Sequence, residues 1–393
     1  MSEPRTVYLD NNATTPLAPE ALTAMLPYLS TDFANPSSAS RAGTAVKEAI
    51  AGARADVAAL LGCRTSELVF TSGATESNHM AMLGALAMAP EKRHLITSTV
   101  EHPSVLLLCR HLEQTGVEVT YLPVDASGQL NLAELRAAIR PDTALISLMW
   151  ANNETGVVFP IPDIAEMARA AGVPLHVDGT QVLGKMPLDL ASIGVLLFSC
   201  SAHKVHGPKG IGALYIQKGL GLPPLIYGHQ ERGRRGGTEN VPGIIGFAAA
   251  ARLMADIEAE SVHLRVLRDR LEQGVLDCFP TAMVHGQAAE RLPNTVNIAF
   301  RSIEAEELLH RLDQRGIVAA TGAACAAGGS RPSHVLSAMG ISRDDILTSL
   351  RFSVGRYNSR DDVEQLIRAL IELVPTAEPA HQAAPATPHA IHP

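Results

Sequence analysis

The stretch Val195-Leu-Leu-Phe-Ser-Cys-Ser-Ala-His-Lys-Val-His-Gly-Pro-Lys-Gly-Ile-Gly212 joins an apolar run of strand length to a polar turn that contains glycine. Six more β-rich runs lie between residues 67 and 217, separated by longer helical patterns, and they begin at Leu68, His94, Val117, Ala144, Pro174 and Ala213. This alternation predicts an α/β fold with a mainly parallel sheet wrapped by helices. Several runs are nearly all apolar, as is typical of strands buried on both faces. One covering helix is predicted over Ile161–Ala171, ending at Gly172.

The chain has 393 residues, a length that predicts about two domains. After Gly243 the pattern changes to a long helical segment through Phe279, a strand from Thr295, and helices near residues 304–315 and 360–374. We therefore expect a large domain at 15–255 and a smaller α+β domain formed by 1–14 and 256–374. The Ala-, Pro- and His-rich residues 375–393 are expected to be a disordered tail.

Charge and composition exclude several classes of protein. The 32 basic and 40 acidic residues give a net charge of −8 without a basic run, which argues against a nucleic-acid partner. The apolar stretches are shorter than the roughly 20 residues of a membrane span, and the first residues do not resemble a signal peptide. Five cysteines without a C-x-x-C pair favour a reducing compartment. We expect a cytoplasmic protein that does not bind membranes.

Polar residues follow several of the predicted strands, at the edge where parallel sheets bind ligands. The segment Ser72–Asn78 opens a helix and favours a phosphate, although Ser and Thr are also common helix caps. Asp178 ends a buried strand and suggests a cationic ligand atom or a metal, with a helix cap as the alternative. Lys204 follows the strand quoted above, where partial desolvation would lower its pKa as a Schiff-base lysine requires. His102 follows another strand, where an ordinary N-terminal helix residue is the alternative.

A metal centre and a nucleotide site are both disfavoured. His203 and His206 lie three residues apart, but no third ligand has diagnostic spacing, and the sequence lacks H-E-x-x-H, a P-loop and G-x-G-x-x-G. We therefore predict no metal. A phosphate turn, Asp178 and Lys204 together fit pyridoxal phosphate, whose phosphate, ring nitrogen and aldehyde need those three partners.

The chain resembles the NifS/IscS-type cysteine desulfurases, a branch of the class V aminotransferase family. The resemblance runs in order along nearly the whole chain and rests on these motifs: Tyr8-Leu-Asp-Asn-Asn-Ala-Thr-Thr, Asn35-Pro-Ser-Ser, Thr71-Ser-Gly-Ala-Thr-Glu-Ser-Asn, Glu101-His-Pro-Ser-Val, Asn152-Asn-Glu-Thr-Gly, Ser201-Ala-His-Lys-Val-His-Gly-Pro-Lys-Gly, Arg234-Arg-Gly-Gly-Thr-Glu-Asn and Arg351-Phe-Ser-Val-Gly-Arg-Tyr. It implies a type I pyridoxal-phosphate transferase fold and a homodimer.

The resemblance also implies roles for individual residues. Lys204 would bind the cofactor aldehyde, Asp178 would pair with the ring nitrogen, and His102 would stack on the ring and act as acid and base. Arg351 would clamp the substrate carboxylate, a role that suits a bidentate guanidinium. The remaining cofactor-binding residues would be Ala74, Thr75, Ser201 and His203 at the phosphate, helped by Thr238 of the partner subunit, with Gln181 and Asn153 on the ring-oxygen side; Asn153 would also contact the substrate.

Cys325 matches the family's nucleophile, in a stretch whose small residues predict a flexible loop. Ala326 and Ala327 stand where the family commonly has Ser or Thr, which removes hydroxyls that could hydrogen-bond a thiolate. A lone cysteine in Ala-rich sequence is otherwise a small buried hydrophobe, and we assign structural roles to the other four cysteines.

The implied activity is conversion of L-cysteine to L-alanine, with the sulfur carried as a persulfide on Cys325 to an acceptor such as an iron–sulfur scaffold protein, for iron–sulfur cluster or other thio-cofactor assembly. Two alternatives stay open. One is another use of the same cofactor, as in a selenocysteine lyase or a class V aminotransferase. The other is a sulfur-relay or scaffold-binding protein whose own turnover depends on a partner.

Overall fold

The computed structural model describes residues 5–321 and 332–375. The strands are β1 (Val7–Tyr8), β2 (Leu68–Thr71), β3 (His94–Ser98), β4 (Glu118–Leu122), β5 (Thr143–Met149), β6 (Leu175–Asp178), β7 (Leu197–Ser201), β8 (Gly212–Ile216), β9 (Met283–Val284), β10 (Thr295–Ala299), β11 (Ile317–Val318), β12 (Ala320–Thr321) and β13 (Ser349–Ser353). The helices are α1 (Pro19–Ser30), α2 (Arg41–Leu61), α3 (Ala74–Met88), α4 (Pro103–Gln114), α5 (Leu132–Ala138), α6 (Ile161–Ala171), α7 (Leu190–Ile193), α8 (Gln230–Gly233), α9 (Val241–Leu253), α10 (Ile257–Cys278), α11 (Ala305–Asp313), α12 (His334–Ala338), α13 (Arg343–Leu347) and α14 (Arg360–Leu373).

Seven strands form the larger sheet, in the order β2-β8-β7-β6-β5-β3-β4. Strand β8 runs antiparallel to both of its neighbours, and every other neighbouring pair is parallel. Strands β2, β3, β5, β6 and β7 therefore end at the same edge, which we call the carboxyl edge. The mainly parallel sheet expected from the sequence is confirmed.

Helices cover both faces of this sheet. On one face, α2, α6 and α9 pack against Phe198 and Tyr215, and on the other α3 and α4 pack against Leu95 and Leu145; all four side chains are almost fully buried. Strand β5 is buried along its whole length because both of its faces are covered, which explains its apolar sequence.

A second core lies under the smaller sheet, whose order is β12-β13-β10-β9. Helices α10, α11 and α14 contribute apolar side chains to this core, and Val7 and Leu9 from the start of the chain join them. Strand β1 pairs in parallel with β11, and Asp10 bridges to Ser353 at the end of β13. The domain boundaries given above stay a prediction.

Most predicted elements agree with the structure to within a few residues, and α6 has the bounds expected, with Gly172 at φ 65° closing the helix. The single helical pattern predicted from Gly243 to Phe279 was wrong. It is two helices, α9 and α10, because Asp256 caps a new N-terminus by accepting a hydrogen bond from the Ala259 amide at 3.0 Å. No helix within 5–321 or 332–375 is long and apolar enough to cross a bilayer.

Candidate active site

Four segments bring polar groups to the carboxyl edge. The N-terminus of α3 follows β2, His102 follows β3, Asp178 ends β6, and Lys204 follows β7. Their neighbourhood is a consequence of topology, because strands that run in the same direction end at the same edge. Hydrogen bonds between these segments then fix the side chains relative to one another.

In the turn before α3, the Ser72 and Gly73 amides donate to the side chains of Glu76 and Thr71, whereas the Thr75 amide has no partner among the hydrogen bonds of the described residues. Gly73 precedes the helix at φ 154°, a conformation that favours glycine, and it supplies no side chain to cap the helix. The Ala74 amide donates to the Ser201 hydroxyl at 3.3 Å, and Thr75 is exposed. Free amides at the positive end of a helix dipole favour an anion such as phosphate.

His203 lies beside this turn as an uncharged ring. Burial and the positive charges of Lys204 and Lys209 lower the pKa of His203 to about 4. Its Nδ1 lies 3.1 Å from the Thr14 hydroxyl, and its backbone carbonyl accepts from the Thr15 amide at 3.0 Å. The ring can therefore offer a hydrogen bond at this position without adding a charge.

Asp178 is a buried carboxylate, 6% exposed. Its Oδ2 accepts from Asn78 Nδ2 at 2.8 Å and its Oδ1 from the Thr180 amide at 3.0 Å. None of the ion pairs found among the described residues includes Asp178. A buried carboxylate without a cation is costly, so the site favours a ligand that presents a positive N–H to it.

His102 is held in one tautomer. The Ser104 amide donates to its Nδ1 at 3.1 Å, so Nδ1 is unprotonated and the neutral ring carries its hydrogen on Nε2. The Ser104 hydroxyl, 2.9 Å from Nδ1, accepts in turn from Asn78 Nδ2 at 3.0 Å. Burial and the charge of Lys204 lower the pKa of His102, so the ring is neutral near pH 7. Asn78 thus ties His102 to Asp178.

The Lys204 amine points toward the N-terminal segment. Its Nζ donates to the carbonyls of Asn12 at 2.6 Å and Ala13 at 2.8 Å. Burial and the nearby Arg351 guanidinium lower the pKa of Lys204 to about 8. A sizeable fraction of this amine is therefore unprotonated near neutral pH, as nucleophilic or basic chemistry requires.

Arg351 comes from β13 in the smaller sheet and is 5% exposed. Its Nη2 pairs with Asp10 Oδ1 at 2.6 Å, and its Nη1 donates to the Asn153 carbonyl at 3.0 Å. Its Nε is buried and unpartnered among the described residues. A donor of this kind can bind a substrate carboxylate while Asp10 holds the rest of the guanidinium in place.

Two predicted residues are not connected to this cluster by the described hydrogen bonds. Thr238 is exposed, and none of the hydrogen bonds found in the described part of the chain connects it to Lys204 or Asp178. Cys325 lies outside the described residues, as does the tail after Pro375.

Sequence reasoning missed Asn12, Asn78, Glu101 and Lys185. Asn12 is the hub of the site: its carbonyl accepts from Lys204 and from Gln181 Nε2, the latter at 3.1 Å. Its position in the Tyr8–Thr15 motif was a usable signal. Glu101 is fully buried beneath His102, and burial raises its pKa to about 8. Lys185 has no local signal in the sequence, because it lies in a turn and is buried only through tertiary contacts.

The donor set fits pyridoxal phosphate. The Thr75 amide at the start of α3 and the Ser201 hydroxyl suit its phosphate, Asp178 without an ion-pair partner suits a protonated ring nitrogen, and the Lys204 amine suits an aldehyde. This fit is argued from the positions of the protein's own side chains and backbone amides.

Comparisons with known proteins agree with this chemistry. A family model described as aminotransferase class-V matches residues 7–366. Cysteine desulfurase 2 of Trichormus variabilis is 49% identical over 370 residues, which cover 94% of this chain and 93% of that protein. Cysteine desulfurase IscS of Methanosarcina thermophila is 46% identical and covers 95% of this chain and 93% of its own length. A solved NifS-like protein superposes with a TM-score of 0.88 at 36% identity, covering 94% of this chain and 99% of that one.

Proposed function

Because the chain belongs to the class V aminotransferase family and is a NifS/IscS-like cysteine desulfurase, we propose that its reaction takes place at the carboxyl edge of the seven-stranded sheet. L-cysteine gives up its sulfur there and leaves as L-alanine. The observation that carries the proposal is that one edge of the sheet holds two unusual groups. They are the Lys204 amine with its lowered pKa and the buried Asp178 carboxylate, which has no ion-pair partner among the described residues.

The residues that would hold the cofactor divide by its three functional ends. The amides of Ala74 and Thr75, with Ser201 and His203, would bind the phosphate, and Asp178 would bind the ring nitrogen. Gln181 and Asn153 would contact the ring-oxygen side, and Lys204 would bind the aldehyde. The chemistry that pyridoxal phosphate supplies when bound is electron withdrawal from the substrate's Cα through a protonated pyridine ring.

Lys204 and His102 manage protons. Since the pKa of Lys204 is lowered to about 8, its free amine can take a proton from the substrate's Cα once it is released from the cofactor. His102 presents Nε2–H, because Ser104 occupies its Nδ1, and so can donate a proton and then take one at the same atom. Asn78 donates both to Ser104, which contacts this ring, and to Asp178, and so holds the two groups in fixed relative positions.

Arg351 binds the substrate's carboxylate. Its buried, unpartnered Nε supplies a charge-assisted hydrogen bond, and Asp10 and the Asn153 carbonyl keep the guanidinium from rotating. This contact orients the amino acid with its side chain directed away from Arg351.

Cys325 is the sulfur acceptor in this proposal, on the strength of its motif. Its thiolate attacks the sulfur of cysteine; an S–S bond forms as the C–S bond breaks, and the carbon skeleton takes up protons and leaves as L-alanine. Three of the described cysteines are poor competitors, because burial raises the pKa of Cys63 and Cys109 to about 12 and raises that of Cys200 further. A partner such as an iron–sulfur scaffold protein then takes the sulfur.

We also propose a homodimer in which Thr238 of the partner subunit completes the phosphate site. An apolar stripe supports this: Leu26, Leu29 and Phe33 on and after α1 are 52%, 61% and 78% exposed, although the opposite face of α1 packs on α9. Sedimentation of the wild type should give the mass of a dimer, and Leu26→Glu should shift it toward the monomer. A wild-type monomer with full cofactor content would contradict this proposal.

Mass spectrometry of the cysteine-treated enzyme tests the reaction. The wild type should gain one sulfur atom on the tryptic peptide that contains Cys325 and release L-alanine. Cys325→Ser should keep its bound cofactor but lose alanine formation, whereas Cys278→Ser, a matched change at another free thiol, should behave as the wild type. Sustained alanine formation by Cys325→Ser would remove Cys325 from the reaction. Exchange of cysteine with a keto acid, without sulfur release, would favour an aminotransferase.

A further inference from the structure

Lys185 is a buried lysine that the proposed reaction does not use. It lies in the turn that follows β6 and is 5% exposed. It forms none of the ion pairs found in the described part of the chain. The positive groups that act on it, Lys204 and Arg351, reinforce burial in holding the pKa of Lys185 well below its ordinary value. Its amine is therefore buried close to two other cationic groups, an environment that disfavours the ammonium form.

The hydrogen bonds of Lys185 lead into the active site. Its Nζ donates to Gln181 Oε1 at 2.9 Å and to Asn12 Oδ1 at 3.4 Å. Both lysine side chains, Lys185 and Lys204, line one small cavity of about 20 Å³, which is space for about one water molecule. Lys185 thus contacts the side-chain amides of Gln181 and Asn12, and the backbone carbonyl of Asn12 in turn accepts a hydrogen bond from Lys204.

Lys185 donates to the oxygen of each of these two side-chain amides and so supports the way they face. With Gln181 Oε1 turned to Lys185, Gln181 Nε2 faces the Asn12 carbonyl at 3.1 Å, which is the same carbonyl that accepts from Lys204 at 2.6 Å. With Asn12 Oδ1 turned to Lys185 and to Asn294, Asn12 Nδ2 faces the Asn153 carbonyl and Thr295. A flipped amide at either position would place two donors or two acceptors against each other.

We propose that Lys185 is a positioning residue: as a buried double donor it holds the side-chain amides of Gln181 and Asn12, and through them the position of Lys204 and of the cofactor ring. The inference rests on the proposed function for the role of Gln181 and Lys204. An apolar side chain of similar length would fill the same space without the cost of burying an amine, so packing alone does not account for a lysine here.

Lys185→Met tests the proposal because it keeps the length of the side chain and removes both donors. We expect the dissociation constant of the apo-protein for pyridoxal phosphate to rise about tenfold while the melting temperature stays within a few degrees. Lys218→Met, at an exposed lysine, is the matched control and should leave the constant unchanged. In a double-mutant cycle, Lys185→Met should add little to Gln181→Ala, since both changes break the same contact.

Chemical labelling of lysines in the apo-protein gives a second readout that needs neither cofactor nor turnover. Loss of the fixed Asn12 carbonyl removes an acceptor that favours the ammonium form of Lys204, so the pH of half-labelling of Lys204 should fall by about half a unit, a threefold change in its proton affinity. Arg351, Asp178 and Asp10 also face this amine and are unchanged by the substitution.

The proposal fails if Lys185→Met binds the cofactor as the wild type does, if its effect adds fully to that of Gln181→Ala, or if the labelling of Lys204 is unchanged. Should Lys185→Met not fold, Lys185→Gln keeps a donor and is expected to restore most of the wild-type cofactor affinity; a Lys185→Gln protein that folds but binds no better than Gln181→Ala would overturn the proposal. Absence of desulfurase turnover in a wild type with normal cofactor binding and labelling would count against the proposed function instead.

Discussion

The carboxyl edge of the sheet and the N-terminal segment 8–14 meet at Lys204, but their polar atoms are satisfied to different degrees. At the edge, Asp178 has no ion-pair partner and the Thr75 amide of α3 has no hydrogen-bond partner among the described residues. In the segment, the side chain of Asn12 donates to Asn153 and Thr295 and accepts from Asn294 and Lys185. The backbone N–H of Asn12 also donates to the Ser353 hydroxyl, at 3.0 Å.

This difference separates two tasks. Groups with unused hydrogen-bonding capacity or an uncompensated charge are suited to bind a ligand, and their removal should cost activity more than stability. Groups that are fully paired hold the two cores against each other, and their removal leaves several buried partners unsatisfied. The following substitutions test whether the two regions divide in this way.

The largest effect is expected at the edge. Lys204→Ala removes both the aldehyde's partner and the base, so alanine formation should fall by about 10³-fold or more, and the visible absorbance of the bound cofactor should be lost. The melting temperature should change little, because Lys204 donates only to two backbone carbonyls. Lys218→Ala is the control. Colour that persists in Lys204→Ala would show that another lysine binds the cofactor.

Asn12→Ala should have the next largest effect and the opposite signature. It removes one hydrogen-bond partner from each of the buried side chains of Asn294, Thr295 and Lys185, so the free energy of unfolding should fall by about 3 kcal/mol in urea denaturation. Asn131→Ala, which loses only an exposed helix cap, should cost about 1 kcal/mol. An Asn12→Ala protein as stable as the wild type would erase the contrast between the two regions.

Arg351→Lys tests the contact between the regions. A lysine keeps the positive charge but cannot bond Asp10, the Asn153 carbonyl and a substrate carboxylate in one plane. We expect the KM for L-cysteine to rise about tenfold with a smaller change in kcat, from initial rates of alanine formation. Arg360→Lys, at a side chain 77% exposed, is the control. A loss confined to kcat would argue that Arg351 does not bind the ground-state substrate.

The last prediction concerns the buried Glu101, and its effect is a gradual slope of stability with pH that is small over a fraction of a pH unit. Burial raises its pKa to about 8, so between about pH 5 and pH 8 the folded state keeps a proton that the unfolded state loses. Stability should therefore fall as pH rises through this window, by at most about 1.4 kcal/mol per pH unit from this group. Glu101→Gln should flatten the slope, leaving the part due to Glu154, whose pKa burial raises to about 7. A Glu118→Gln control, at an exposed carboxylate, should keep the wild-type slope; an unchanged slope in Glu101→Gln would refute the assignment.

Much of the carboxyl edge could be predicted from the sequence. The strand-and-turn order placed His102, Asp178 and Lys204 directly after apolar runs, and parallel strands necessarily collect such residues at one edge. The split between α9 and α10 was missed because Asp256 caps α10 within an otherwise continuous helical pattern. The bond between Lys185 and Asn12 was not predictable, since the two residues lie 173 positions apart in the chain.

The sequence by itself determined the α/β class, the order of strands and helices, and the residue types that pyridoxal phosphate needs, because these follow from hydrophobic period and from residues adjacent in the chain. The tertiary structure alone decided which side chains are paired and which are left open. Arg351 shows this, because its partners Asp10 and Asn153 come from distant segments and leave its Nε unpartnered among the described residues. Burial then lowers the pKa of Lys204 and of Lys185, since desolvation disfavours the ammonium form and acts only once the chain has folded around it.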